Sequence, residues 1–240
     1  MKVWQDLHDE KAWQKCQAGH EKHDRILVDT ELGKMWVWDY EKYKGFDGYC
    51  TGQDDISRTL INNGIWEVTE SKIIREVLEN GDRSKGFVDI GAHIGWYSLM
   101  ASQLGYQVMA IEADSENCEL IKANAELHNI KIAGTKAPEI TIYNTWVGEE
   151  TTPVPFRDKT LVKCDIEGNE QYAVVMCEKL LKRGGAENLF FEISPVFNDS
   201  YPAVVEKILS YGYEAFLDDK PFDGKFDFNQ ENILFRKVKK

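Results

Sequence analysis

Gly86-Phe87-Val88-Asp89-Ile90-Gly91-Ala92-His93-Ile94-Gly95 is the stretch whose reading decides the fold. Phe87, Val88 and Ile90 are apolar and partly β-branched, as suits a central parallel strand. Gly91 and Gly95 carry no side chain where the backbone turns tightly and approaches a ligand. From Tyr97 to Leu104 the pattern is helical, and Gly105 stands where a helix stops. A strand, a glycine turn and a helix N-terminus together make the nucleotide-binding corner of a doubly wound α/β sheet.

The spacing narrows the ligand. Dinucleotide folds hold a pyrophosphate with G-x-G-x-x-G. Here the pattern is Asp89-x-Gly91-x-x-x-Gly95, and a carboxylate at the turn suits a cation better than a pyrophosphate. A second acid, Glu112, closes Val108-Met109-Ala110-Ile111-Glu112. An acid roughly 20 residues past such a turn accepts hydrogen bonds from ribose hydroxyls. S-adenosylmethionine, a ribose nucleoside with a positive sulfonium, suits both acids. Two other readings share the fold: an NAD-dependent oxidoreductase, which the glycine spacing disfavours, and a non-catalytic nucleotide-binding module, against which the rim carboxylates described below argue.

The chain has 240 residues, enough for one domain with an appendage. Its formal net charge of −12 argues against a nucleic-acid backbone or an anionic membrane as partner. No apolar run reaches membrane-spanning length and the N-terminus is polar, so a cytoplasmic protein is expected. Cys16, Cys50, Cys118, Cys164 and Cys177 form no C-x-x-C pair and read as buried free thiols.

Residues 1–66 form an aromatic-rich extension that holds five of the seven tryptophans, which sets it apart from the rest. Ile26-Leu27-Val28 and Met35-Trp36-Val37-Trp38 read as a hairpin, and Gly45 to Gly52 as loop. The extension is either an acceptor-binding cap or an accessory layer whose aromatics pack on the core. Residues 67–240 form the cofactor-binding domain.

Its opening helix is predicted over Thr69 to Asn80, N-capped by Thr69, with Glu67 just before it near the cofactor end. A second follows Glu112, from about Asp114 to His128, with Asp114 as cap. Ile140 to Val147 is the third strand. Glu149 to Lys159 has no room for a full helix. Then comes Leu161-Val162-Lys163-Cys164-Asp165-Ile166-Glu167-Gly168-Asn169-Glu170: a fourth strand, an acidic turn, and a helix from about Asn169 to Leu181. Asn188 to Ser194 is the fifth strand, with Glu192 near its end. Pro202 to Tyr211 is a final helix, and Tyr213 to Leu217 with Asn232 to Arg236 closes the sheet as a hairpin. Ligands of open α/β sheets sit at the carboxyl ends of strands, so Asp89, Glu112, Asp165, Glu167 and Glu192 should line one rim. Base methylases of nucleic acids commonly carry an Asn/Asp-Pro-Pro-aromatic tetrad after the fourth strand, where this chain has Asp165-Ile166-Glu167-Gly168.

At these motifs the sequence resembles the FkbM family of S-adenosylmethionine-dependent methyltransferases. The matching pieces are Gly64-Ile65-Trp66-Glu67, Phe87 to Gly95, Ile111-Glu112-Ala113, Lys163 to Glu170, and Phe191-Glu192-Ile193. The match covers about Asp54 to Arg236. His93 stands where the family usually has Asn, and the short segment before the fourth strand alters the adenine pocket. The resemblance implies a class I methyltransferase (Rossmann-like) fold: a mostly parallel seven-stranded sheet, helices on both faces, and a reversed last hairpin. It also implies O-methylation of a hydroxyl on a sugar or small-molecule metabolite.

These readings assign the cofactor to Asp89, Gly91, Ala92, Gly95, Glu112, Ala113 and Glu67. Asp165 and Glu167 lie nearest the reacting methyl, one of them as general base. Glu192 orients the acceptor, and His93 is a rival base because its pKa lies near neutrality. No metal site is indicated by Cys or His spacing. Asp165 and Glu192 are nonetheless oxygen donors of the kind Mg²⁺ takes.

Overall fold

The computed structural model describes residues 24–39, 55–132, 139–195, 199, 201–226 and 231–238. Trp4, Trp13, Cys16, Cys50 and the loop expected at 45–52 lie outside these. The chain opens with a hairpin, β1 (Arg25–Thr30) and β2 (Gly33–Trp38), then α1 (Asp55–Asn63) and α2 (Val68–Glu79). The core follows in alternation: β3 (Gly86–Ile90), α3 (Trp96–Gln103), β4 (Gln107–Glu112), α4 (Ser115–Leu127), β5 (Lys131–Ile132) and β6 (Glu139–Asn144). Next are β7 (Lys159–Cys164), α5 (Glu170–Lys182), β8 (Ala186–Ile193) and α6 (Tyr201–Ser210). The chain finishes with β9 (Tyr213–Leu217), β10 (Lys220–Pro221) and β11 (Glu231–Lys237).

One sheet has the order β10-β9-β11-β8-β7-β3-β4-β6-β5, nine strands among the described residues where seven were expected. The two extra, β5 and β10, are two-residue strands at the two edges. The seven longer strands have the expected topology. β6, β4, β3, β7 and β8 pair in parallel. β11 returns antiparallel between β8 and β9, which makes the reversed closing hairpin.

Apolar side chains from the two faces form two cores. Phe87, Val108, Leu161 and Phe190 join α2, α3, α4 and the β1–β2 hairpin. Val88, Ile90, Val162, Leu189 and Phe191 join α5 and α6. Side chains alternate with a period of two, so one parity of each strand faces α3 and the other faces α5. Asp89, Glu112, Lys163 and Glu192 share parity with the α3-facing set.

Boundaries differ from the sequence reading at α2 and β6. α2 starts at Val68, with Glu67 rather than Thr69 at its N-cap. Glu67 takes a left-handed φ of 41°, and its side chain caps nothing because it reaches Tyr97 instead. β6 ends at Asn144, where its partner β4 ends, so residues 145–147 have no neighbouring ladder. Asp114 does cap α4, accepting from the backbone N–H of Glu116 and Asn117. The hairpin docks on α4: Asn124 accepts from Trp36 N–H at 2.6 Å, and Asn117 Oδ1 accepts from the Trp38 indole at 2.9 Å. Cys118, Cys164 and Cys177 are buried free thiols, as read, with burial pushing Cys118 and Cys177 up to about 12. Among the described residues no helix is long and apolar enough to cross a membrane.

Candidate active site

Gly91 follows β3 with φ +77°. A Cβ there would lie 1.8 Å from the Asp165 carbonyl oxygen, so the residue is bare to let a second turn sit against it. A close approach between two stretches of chain is thus one reason for glycine here. Gly95, at φ +89°, caps α3, and a Cβ would press on Ile121 at 3.1 Å. His93 is also left-handed, at φ 49°. Asn and His are among the residues that tolerate this conformation.

The sequence-assigned residues fall into two groups. The first surrounds Glu112, which is buried with both carboxylate oxygens held. Oε2 accepts from His93 N–H at 2.7 Å and Oε1 from Asp114 N–H at 2.8 Å. Burial raises its pKa. Ala113 sits beside it, its carbonyl and that of Glu112 accepting from the Asn144 amide at 2.8 and 3.1 Å. Ala92 is buried and donates its N–H to the Ile111 carbonyl.

The second group gathers where β3, β7 and β8 end. Carboxylate oxygens of Asp165, Glu167 and Glu192 lie within 4.8 Å of one another. Asp165 is partly open to solvent, Glu192 is buried and accepts from the Ser194 hydroxyl at 2.8 Å, and Glu167 presents its surface to solvent. Burial, with Asp165 and Glu170 close by, nevertheless pushes Glu167 up to about 8. The two observations agree if the carboxyl stands in a recess walled by acids while the rest of the residue is open. Its backbone is left-handed at φ 54°, followed by Gly168 at φ 99°. Glu170 accepts from Gly168 N–H at 2.9 Å and is pushed by burial up to about 7.

Asp89 is fully buried. Its Oδ2 accepts from the Ser98 hydroxyl at 2.7 Å, and its Oδ1 has no hydrogen-bond partner. Burial pushes it up to about 6 against the pull of Lys163. Glu67 completes the group: it accepts from the Tyr97 hydroxyl at 2.6 Å, and burial followed by the Asp165 charge raises it.

Lys163 and Tyr97 were not singled out from sequence. The Lys163 ammonium lies 3.2 Å from the Gly91 carbonyl, 3.3 Å from Asp165 Oδ2 and 3.9 Å from Asp89 Oδ1. Register pairs Asp89 with Lys163 across β3 and β7, and the two-residue offset from Lys163 to Asp165 is readable in the sequence. That offset and the strand pairing are the signals that could have found it.

Three carboxylates so close can bind a cation, orient a hydroxyl or accept its proton. Oxygen donors of this kind suit Mg²⁺, but among the described residues nothing besides the acids themselves points to a metal.

No family model matches the chain, and no curated protein does. Solved structures do. It is similar to a TehB-like SAM-dependent methyltransferase from Corynebacterium glutamicum, with 17% identity over 75% of this chain and 94% of that one and a TM-score of 0.52. It is also similar to precorrin 8w decarboxylase from Methanobacterium thermoautotrophicum, with 16% identity, 73% and 92% coverage and a TM-score of 0.51. An rRNA methylase from Streptococcus thermophilus matches at 14% identity, over 71% and 95%, with a TM-score of 0.48. The exclusion of nucleic acid as a partner is therefore withdrawn. A charge summed over the whole chain does not describe the surface at one site. At these identities what is shared is the fold, and the chain has the class I methyltransferase fold.

Proposed function

We propose that the chain is an S-adenosylmethionine-dependent methyltransferase that places the methyl on a hydroxyl, on a sugar or small metabolite as in the FkbM family. The observation that carries the reading is the convergence of Asp165, Glu167 and Glu192 at the carboxyl ends of β7 and β8. The donor set suits the cofactor. Glu112 is locked by two backbone N–H groups and keeps lone pairs for ribose hydroxyls. The fully buried Asp89, with one unpartnered oxygen, adds negative potential at the glycine turn. Ala113 follows Glu112, and Glu67, held by the Tyr97 hydroxyl, stands on the Asp165 side.

When bound, the cofactor supplies an electrophilic methyl on a positive sulfur. The chain's own residues do the rest. Glu192, fixed by Ser194, orients the acceptor oxygen. Glu167 takes its proton, since a base works best with a pKa near the operating pH. Asp165 holds the hydroxyl between them. The division of the chain is part of the same proposal: residues 67–240 carry cofactor and rim, and residues 1–66 act as a cap, of which the described hairpin leans on α4.

The test is methyl transfer from isotopically labelled cofactor to a panel of sugars, hydroxylated metabolites and RNA, read as S-adenosylhomocysteine formed. Turnover should rise with pH through about 8, as Glu167 loses its proton. Glu167→Gln should lower the rate about 10²–10⁴-fold and flatten that rise. If Asp165→Asn, Glu167→Gln and Glu192→Gln all keep full turnover and the same pH dependence, the base assignment fails. Tight NADH binding with none of S-adenosylhomocysteine would end the cofactor reading.

A further inference from the structure

We propose that Lys163 is the positioning residue of this site: its buried ammonium ties the glycine turn after β3 to the acidic turn after β7, and so sets where Asp165 stands. The inference rests on the reading of the rim as a cofactor and acceptor site.

Lys163 lies in a buried strand where an aliphatic residue would be cheaper, because a buried ammonium costs several kcal/mol unless paired. Its side chain is only 5% exposed. An ammonium has three donors. Three acceptors surround it: the Gly91 carbonyl at 3.2 Å, Asp165 Oδ2 at 3.3 Å and Asp89 Oδ1 at 3.9 Å. Two of the three belong to the two turns, and the third is the unpartnered oxygen of Asp89.

The turns also touch directly. Asp165 N–H donates to the Ile90 carbonyl at 3.0 Å, and the Asp165 carbonyl fills the space a Gly91 side chain would need. Backbone contact thus sets the height of one turn on the other. It leaves the Asp165 side chain free to rotate, and the ammonium removes that freedom. A fourth element joins through Tyr97, whose ring lies 5.4 Å from the ammonium and whose hydroxyl holds Glu67. One cation therefore touches β3, β7 and α3, and reaches the segment before α2. Burial pulls its pKa down, but Asp165, Asp89 and Glu67 outweigh that and the net shift is upward. Lys163 stays charged and holds its partners without exchanging protons with an acceptor.

The experiment measures S-adenosylhomocysteine affinity by calorimetry and melting temperature on the full chain. The main comparison is Asp89→Asn against Asp89→Asn/Lys163→Met, because the buried ion pair is already broken in the first. The double variant should melt no lower than Asp89→Asn, yet bind the nucleoside about 10- to 100-fold more weakly, since the Gly91 turn assigned to the cofactor has lost its tether to Lys163. Equal affinity in the two variants overturns the proposal and leaves Lys163 as charge balance. Lys163→Arg, made in the wild-type background, keeps the charge and changes its geometry. It should fold and bind about tenfold more weakly, and wild-type affinity there also overturns the proposal. Failure of the wild-type chain to bind S-adenosylhomocysteine overturns the functional reading and takes this inference with it. Normal wild-type binding with unimpaired variants overturns this inference alone.

Discussion

The two faces of the central strands are equally buried and obey opposite rules. Facing α5, β3 presents Val88 and Ile90, β7 presents Val162 and Cys164, and β8 presents Phe191 and Ile193. Facing α3, the same strands begin apolar, with Phe87, Leu161 and Phe190, and then become Asp89, Lys163 and Glu192 at their carboxyl ends. Both sets are almost wholly shielded from water. One side contributes transfer free energy at every position. The other accepts charged groups in low dielectric, where each must be paired or shifts its pKa. Burial therefore does not separate scaffold from site here, whereas strand parity does.

The contrast can be broken most severely on the α5 side. Phe191 packs edge-on against Phe235, with ring centroids 6.4 Å apart. Phe191→Ala should cost about 3–5 kcal/mol in denaturant unfolding. Well below its melting temperature, the variant should bind S-adenosylhomocysteine as the wild type does. On the α3 side, Ser98→Ala removes the hydroxyl that donates to Asp89. It should cost about 2 kcal/mol near neutral pH, since hydrogen bonds to charged groups are the stronger ones.

A charge at the start of α5 sharpens the comparison from the other direction. Glu170 is buried and its pKa is raised to about 7. The folded chain then holds the proton more tightly than the unfolded one. Its contribution to stability is fully present below about pH 4.5 and is lost as pH rises toward 7. Glu170→Gln keeps an acceptor for the Gly168 N–H and removes the charge. It should stabilise the chain by about 1–2 kcal/mol at pH 8 and by nothing measurable at pH 4, read from paired denaturation curves. The smallest effect belongs to the solvated rim of the sheet. Arg183 and Asp158 pair at 2.8 Å with both side chains about half exposed, and Asp158→Asn should cost less than about 1 kcal/mol and less still in high salt.

Most of the fold was legible because it rests on local patterns. Apolar runs bounded by glycine marked the strands, Asp114 marked a helix start, and the Asp-x-Glu-Gly turn marked the end of β7. Boundaries went astray where a distant partner decided them: Glu67 is drawn into its left-handed turn by Tyr97, and β6 stops where β4 gives out. Asp89, Glu112, Asp165, Glu167 and Glu192 were visible as acids at or just past strand ends and were expected on one rim. Their division into two groups was not visible, and neither was the lysine among them.

The amino-acid order by itself determined the alternation of strands and helices, the glycine turn, and the placing of acids at strand ends, because each follows from neighbours within a few positions. Only the tertiary structure decided that Lys163 stands beside Asp89, that Asp165 presses on Gly91, and that the N-terminal hairpin hangs from Asn124. Those contacts join residues 70 to 90 positions apart, as the separations of 72 for Lys163–Gly91 and 88 for Trp36–Asn124 show. Sheet register and the packing of helices on its two faces set such pairings, and no local periodicity encodes them.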